Sequence, residues 1–526
     1  MKKPLTIASA LFLSIGLLAG CSKTGNEPTS AQQTAQTTSS QPKKFVFGDT
    51  TFNVESGEPN INPHYENSGW AAMRYGVGEA MFKYSEKMEI EHWLAESHEL
   101  VNEKTWKIKL RDNITFTSGR KLDAQAAKES LEALVKAHAR AAGNLKIDSI
   151  TAEGQTLTIV TKEPVPSLPN YLADPYAALI DMQAGITPEG IVSATGPYKA
   201  VSLVSDEKVE LVKNDNYWNG KPKIDNITVR TISDGDTMTL ALQSGEIDAA
   251  YGMPYASYPL FQNDKYKFTS TPTSRAFFLW MNFKDATIQD PAVRKAIAMG
   301  LNKEVFVSNL LKGNGYPAAG VFPDSFPFGG EKAVSTEKYD PEAAQKLLEE
   351  AGWKDSNGDG IREKNGKPLV IRWLTYPNRQ ELPLLAEFAQ AELKKLGMKV
   401  DINNTADHNK IITDTNAWNV YASAMITAPT GDPEYFFTYA TLGSSTNNKG
   451  HYRGDKLEEL AKKISASFDR KEREQLAVQM QQAILDDNAY VFVSHLRMSM
   501  IHKANVSGLK AHPSDFYEIN VDLDVN

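Results

Sequence analysis

Apolar and polar positions first alternate over residues 45–52, in the manner of a strand. The alternation is cleaner over 105–111, where Trp106, Ile108 and Leu110 share one face. Residues 157–161 and 208–212 predict further strands. Between them, 122–139 has helical spacing, with Asp123 as N-cap and Leu131, Leu134 and Val135 on one side. The pattern then changes. Residues 290–301 predict a helix, and 341–351 a second one that starts after Asp340 and stops at Gly352. A strand at 369–374, a helix at 382–396 and a strand at 398–402 follow, and this alternation argues for an α/β arrangement. Two amphipathic helices, 455–466 and 470–485, precede short strands near Val491 and Ser499. No self-similarity recurs at a period of about 20–50 residues.

The two ends of the apolar scale add a compartment. Lys2 and Lys3 precede an apolar run over 5–18, closed by Leu18-Ala19-Gly20-Cys21. That is the layout of a secretion leader, 1–20, and is too short for a stable span. The last four residues look like a bacterial lipobox, which implies lipid attachment at Cys21 and a membrane anchor without a spanning helix. Cys21 is the only cysteine, so no disulfide forms within one molecule. Residues 22–44 are Ser, Thr, Gln, Pro and Gly with almost no large apolar side chain, the composition of a flexible tether. The roughly 480 residues beyond it exceed one hydrophobic core, so two or more lobes are expected. With 41% hydrophobic residues and a net charge of −8, the chain reads as an ordinary globular protein with no basic stripe for nucleic acid. No heptad suggests self-association, and a monomer is expected.

Six segments in order resemble the peptide/nickel-type solute-binding proteins of bacterial ABC importers (family 5, cluster C). They are 106–119 (WKIKLRDNITFTSG) with 122–124 (LDA), 194–199 (ATGPYK) with 214–218 (NDNYW), 244–248 (SGEID), 293–297 (VRKAI), 339–343 (YDPEA) and 347–353 (LEEAGW). The resemblance implies a two-lobed α/β periplasmic-binding-protein fold of type II with an enclosed ligand cleft. Lobe I would comprise 45–275 and 500–526, with an inserted subdomain at about 85–200, and lobe II 276–499. It also implies capture without catalysis, with permease and ATPase subunits as partners. Trp106, Leu110, Phe116 and Gly119 read equally as core and turn residues.

The ligand is read from departures within that resemblance. Peptide binders carry an aspartate three residues before the equivalent of Asp432 to pair with the ligand's amino group, and Pro429 stands there in the turn 428–433 (APTGDP). That disfavours peptides, with Asp432 or Glu434 left as the carboxylate to take the role. Nickel, free or as a small chelate, becomes the leading reading. Asn60-Ile61-Asn62-Pro63-His64 resembles the opening of nickel-type members, and His495 and His451 are further imidazole candidates. Each of the nine histidines also reads as a surface or internally satisfied residue; His92 and His98 read as surface residues beside a packed Trp93. Chelate binders resembling this chain clamp a carboxylate with an arginine where Asp174 stands here, and their aromatic box before the Asp-Pro turn is missing. Arg275 is kept as a substitute clamp, its fork being suited to carboxylates, or else as a lobe-surface salt bridge. The stretch 355–360 (DSNGDG) begins like a calcium loop, but Gly366 occupies the twelfth position and a polar turn explains it. Catalytic motifs are absent: no Gly-x-Ser-x-Gly elbow, no His-Glu-x-x-His, no phosphate loop. A hydrolase assembled from distant positions and a surface sensor on the same fold stay as alternatives of another class.

Overall fold

Two long antiparallel strands, Tyr266–Met281 and Tyr490–Lys503, organise the computed structural model, which describes residues 41–50 and 60–526. They form the middle of an eleven-stranded mixed sheet. On one side of the pair lie Val420–Ile426, Val370–Thr375 and Lys399–Asn404, and the short strand Gly315–Pro317 pairs with Tyr490–Lys503 off this path. On the other lie Ala249–Tyr251, Lys44–Asp49, Asn226–Thr231, Lys208–Lys213 and Tyr198–Val204. The long pair loses register between Pro272 and Ala276, opposite Arg497 and His495. Residues 42–526 pack as one compact unit.

Most elements form where their sequence pattern puts them. Asp123 accepts from Ala126 N at 2.8 Å and opens the helix Ala124–Ala137, which buries Leu131 and Leu134. Asp340 caps Pro341–Glu350 in the same way through Ala343 N (2.9 Å), and Gly352, at φ +89°, takes the left-handed turn that ends it. Asp455–Ala466 and Arg470–Asp486 are the two late amphipathic helices. Thr105–Leu110 buries Trp106, Ile108 and Leu110 in a separate four-stranded antiparallel sheet with Ala95–Asn102, Thr156–Thr161 and Ile147–Glu153. The calcium-like stretch is a tight turn in which the Asp355 carboxylate accepts from Gly358 N (2.7 Å) and Gly360 N (2.9 Å).

One expectation is corrected. Val491 and Ser499 belong to one fourteen-residue strand, not two short ones. Its first six residues are all buried, so both faces are apolar or sealed and the two-residue alternation that marks a strand is lost. The first half of Tyr266–Met281 is hidden for the opposite reason, being rich in Thr, Ser and Lys. Among the described residues no helix is long and apolar enough to cross a membrane. Cys21, the leader and most of the tether lie outside the described residues.

Candidate functional site

Beside the register break lies a cavity of about 440 Å³. Its first wall is Thr50 with the segment 251–255, reached from the end of the short strand Ala249–Tyr251. Gly252 makes that wall possible: it sits at φ +84°, and a Cβ there would meet Thr50 Oγ1 at 1.9 Å. The opposite wall is the loop 377–381, which leaves the carboxyl end of the strand Val370–Thr375, together with Asn314. The floor is the long strand at 496–499. Arg379 and Arg497 bring two guanidinium groups to this space, and the Arg497 Nε–H donates to Ser270 Oγ at 3.0 Å. The rim is tied shut by Tyr255, whose hydroxyl donates to Glu381 and whose backbone N–H donates to Gln380 Oε1 at 3.4 Å.

Behind the Tyr251 wall is a buried ionic cluster. Arg74 reaches Asp49 at 3.0 Å, Asp515 at 2.7 Å and Glu518 at 4.0 Å, and lies 4.7 Å over the Tyr251 ring. Tyr75 donates to Asp49 at 2.9 Å and Tyr251 to Asp515 at 3.4 Å. Arg275 joins from the long strand, 3.7 Å from Asp515, and its charge acts on Tyr251 together with that of Arg379. Burial raises the Glu518 carboxyl well above the usual carboxylate range, with Asp515 adding to the shift.

The sequence-predicted residues fall into different surroundings. Arg275 adjoins the cavity through the cluster. His64 is buried, and its Nε2 has no hydrogen-bond partner among the described residues. His495 is not among the residues lining the cavity: its Nε2 lies 3.1 Å from Val321 O, its ring stacks on Tyr316 at 5.6 Å, and its buried Nδ1 has no hydrogen-bond partner among the described residues. Burial lowers both imidazoles to about 4. His451 is exposed, at φ +55°, with Lys284, Arg453 and Lys449 acting on it after desolvation. Asp174 is buried and held by the Arg140 fork at 2.8 and 3.1 Å, while it caps the turn Pro175–Ala177. Asp432 is held by the Arg473 guanidinium at 2.7 to 3.1 Å. No three ligating side chains assemble into a metal-holding group among the described residues.

Sequence reasoning missed Arg379, Arg497 and the Tyr255–Glu381 tie. A signal existed for the first: Arg379 follows the carboxyl end of a strand in an α/β arrangement, where ligands gather. Arg497 had none, since it lies inside a strand read as two pieces.

The buried histidines carry a prediction for the metal-free protein. Each stays neutral in the folded state down to about 4, whereas the unfolded chain takes the proton below about 6.5. Their contribution is therefore complete above pH 6.5 and is lost as pH falls from 6.5 toward 4, at about 1.4 kcal/mol per pH unit per ring. Urea midpoints measured across that window should fall steeply for the natural protein and more gently for His64→Gln/His495→Gln.

Comparison with known proteins matches residues 89–449 to the model of the bacterial extracellular solute-binding proteins, family 5 (middle region). The nickel-binding protein NikA of Staphylococcus aureus (strain NCTC 8325 / PS 47) is 29% identical over 449 residues, 85% of this chain and 89% of that one. The nickel-binding periplasmic protein of Escherichia coli (strain K12) is 27% identical, over 86% of this chain and 90% of its own length. The crystal structure of Staphylococcus aureus NikA in complex with Ni(L-His)2 superposes with a TM-score of 0.78 at 27% identity, covering 92% of this chain and all (100%) of that one.

Proposed function

The chain belongs to the family 5 bacterial extracellular solute-binding proteins, and on that premise we propose that it captures nickel as a small carboxylate-bearing chelate and delivers it to ABC permease and ATPase subunits. The two-lobed α/β fold expected from the sequence is that of the family. The observation that carries the ligand is the cavity's pair of guanidinium groups, Arg379 and Arg497, in a chain whose described residues supply no three-ligand metal group. Guanidinium forks match carboxylates bidentately, so the protein grips the chelator while the chelator fills most of the nickel coordination. His64, His495 and His451 remain candidates for a single protein ligand, and Arg275 for an additional anion contact. Asp174 and Asp432, each matched to an arginine, act in this reading as supports of the walls.

Lobe I comprises 45–275 and 500–526, with the insertion at about 85–200, and lobe II comprises 276–499. The register break at Pro272–Ala276 supports a crossover there. Closure sheds water from the cavity, which strengthens each charge-assisted bond to the ligand. Asn170 Nδ2 donating to Thr430 O at 2.7 Å and Tyr255 donating to Glu381 hold the two sides together. Gly431, at φ +68°, lets its turn approach Met88 O so closely that a Cβ would lie 2.1 Å from it. Lipidation of Cys21 after removal of 1–20 would keep the domain at the membrane surface beside its permease. The protein carries out no covalent chemistry on its ligand.

Calorimetric titration with Ni²⁺, Ni²⁺ plus free histidine, and a pool of di- to pentapeptides tests this reading. Saturable binding is expected for nickel with histidine, and Arg379→Ala should weaken it about 10- to 100-fold, the loss of one charged hydrogen-bonding group. Peptide heat without nickel heat would overturn the proposal and assign the protein to the oligopeptide-binding members.

A further inference from the structure

Two imidazoles that read as ordinary surface residues in the sequence meet on the inserted region. His92 ends the strand Ile90–His92, and His98 lies in Ala95–Asn102. The bend at Trp93 and Leu94 folds the chain so that side chains six positions apart converge. His92 Nε2 lies 2.8 Å from His98 Nδ1, with ring centroids 5.0 Å apart. Both residues are exposed, yet their rings are not loose. Phe82 packs on the two rings at 5.8 and 5.3 Å, and the indole of Trp106 stacks on His98 at 5.9 Å.

We propose that His92 and His98 form a binding site for a borderline divalent transition-metal ion such as Zn²⁺ or Cu²⁺, separate from the cavity above. Two nitrogens bound to one ion at 2.0–2.1 Å, at octahedral or tetrahedral angles, stand about 2.8–3.4 Å apart. The observed separation is within that range, so the rings need to rotate rather than translate. In the metal-free pair one ring donates its N–H to the other. That ring shifts its proton to its second nitrogen when an ion enters, and both facing nitrogens then offer lone pairs with no net loss of protons. Neutral imidazole is a preferred ligand for these ions. Packing against Phe82 and Trp106 lowers the cost of ordering the two rings, and the open side leaves the remaining coordination positions to water. The neighbouring carboxylates Glu91 and Glu96 face Lys83 (3.5 Å) and Lys109 (2.8 Å), so two protein ligands are expected and the affinity is moderate.

The test uses the full chain, Zn²⁺ titrated calorimetrically, and Cu²⁺ followed by electron paramagnetic resonance. One equivalent of Zn²⁺ should bind to the natural protein and equally to Arg379→Ala, which is altered only in the cavity. His92→Gln or His98→Gln should each weaken binding about tenfold or more, and the double substitution should remove the imidazole nitrogen couplings from the Cu²⁺ spectrum. Both positions are exposed, and unchanged circular dichroism melts would establish that the variants fold. Zn²⁺ binding that persists unchanged in the double variant, or no uptake by the natural protein at about 1 mM, would overturn the site.

Discussion

Replacing Arg473 by methionine should cost the folded protein about 3–5 kcal/mol, read as a lower urea midpoint in tryptophan fluorescence. Arg473 is 5% exposed, and its guanidinium serves two carboxylates at once, Asp432 from 2.7 Å and Glu434 at 2.8 Å. It also donates to Ser467 O at 3.2 Å, to Ile464 O, and to Ser167 Oγ at 2.8 Å, far away in the chain. Burial by itself would lower the arginine pKa, but Asp432 and Glu434 outweigh it and hold the group above its ordinary value. Removing the cation leaves two carboxylates stranded in a site already closed to water. The penalty comes from their unmet charge rather than from the lost contacts. Accordingly Arg473→Met/Asp432→Asn/Glu434→Gln should recover most of the lost stability, since a cluster neutralised throughout has no charge to desolvate. A single variant as stable as the natural protein would mean that water reaches the carboxylates. Asp432→Asn alone should lower stability for the same reason, an effect that a purely ligand-contacting carboxylate would not show.

Arg74→Met is expected to be at least as damaging, about 3–5 kcal/mol, because it removes the hub of the second cluster. Asp49, Asp515 and Glu518 would then face one another without their central cation, although Arg275 lies 3.7 Å from Asp515. Arg74→Lys should restore only part of the loss, since an ammonium cannot span Asp49 and Asp515 with a planar fork. The same cluster backs Tyr251, so binding of the proposed chelate should weaken along with the urea midpoint. Glu518 differs from its neighbours. Neither of its carboxyl oxygens has a hydrogen-bond partner among the described residues, and its raised pKa means that the folded state favours the protonated form. Above the ordinary carboxylate value the unfolded chain gives up that proton more readily, so the Glu518 side chain costs stability as pH rises. Glu518→Gln should therefore hold its stability better than the natural protein as pH rises above the ordinary carboxylate range.

Elements with one buried face were legible from residue order. The helix Ala124–Ala137 and the strand Thr105–Leu110 each announce their buried side by spacing, and Asp123 and Asp340 mark helix starts through bonds that span three residues. Local periodicity and local capping need no knowledge of the rest of the chain. The six ordered segments likewise pointed to the family that the comparison then matched over 89–449. The strand Tyr490–Lys503 was legible only in fragments, because a strand buried on both faces has no alternation to read.

The site depended on contacts that residue order does not encode in any short window. Asp174 and Asp432 look alike in sequence as candidate ligand carboxylates, but partners 34 and 41 positions away, Arg140 and Arg473, already hold them. Arg74 meets Asp515 across most of the chain, and Arg379 and Arg497 line one cavity although more than a hundred positions separate them in the sequence. His495 and His64 carry the residue type that nickel favours, but their burial is set by packing that residue order does not show. Sequence thus determined which segments form strands and helices and which family they compose, since those follow from bonding and burial over a few residues. Tertiary structure alone decided which charges are matched to which partners and which side chains line one cavity, because electrostatic partners are chosen by distance in space and by the water that packing excludes.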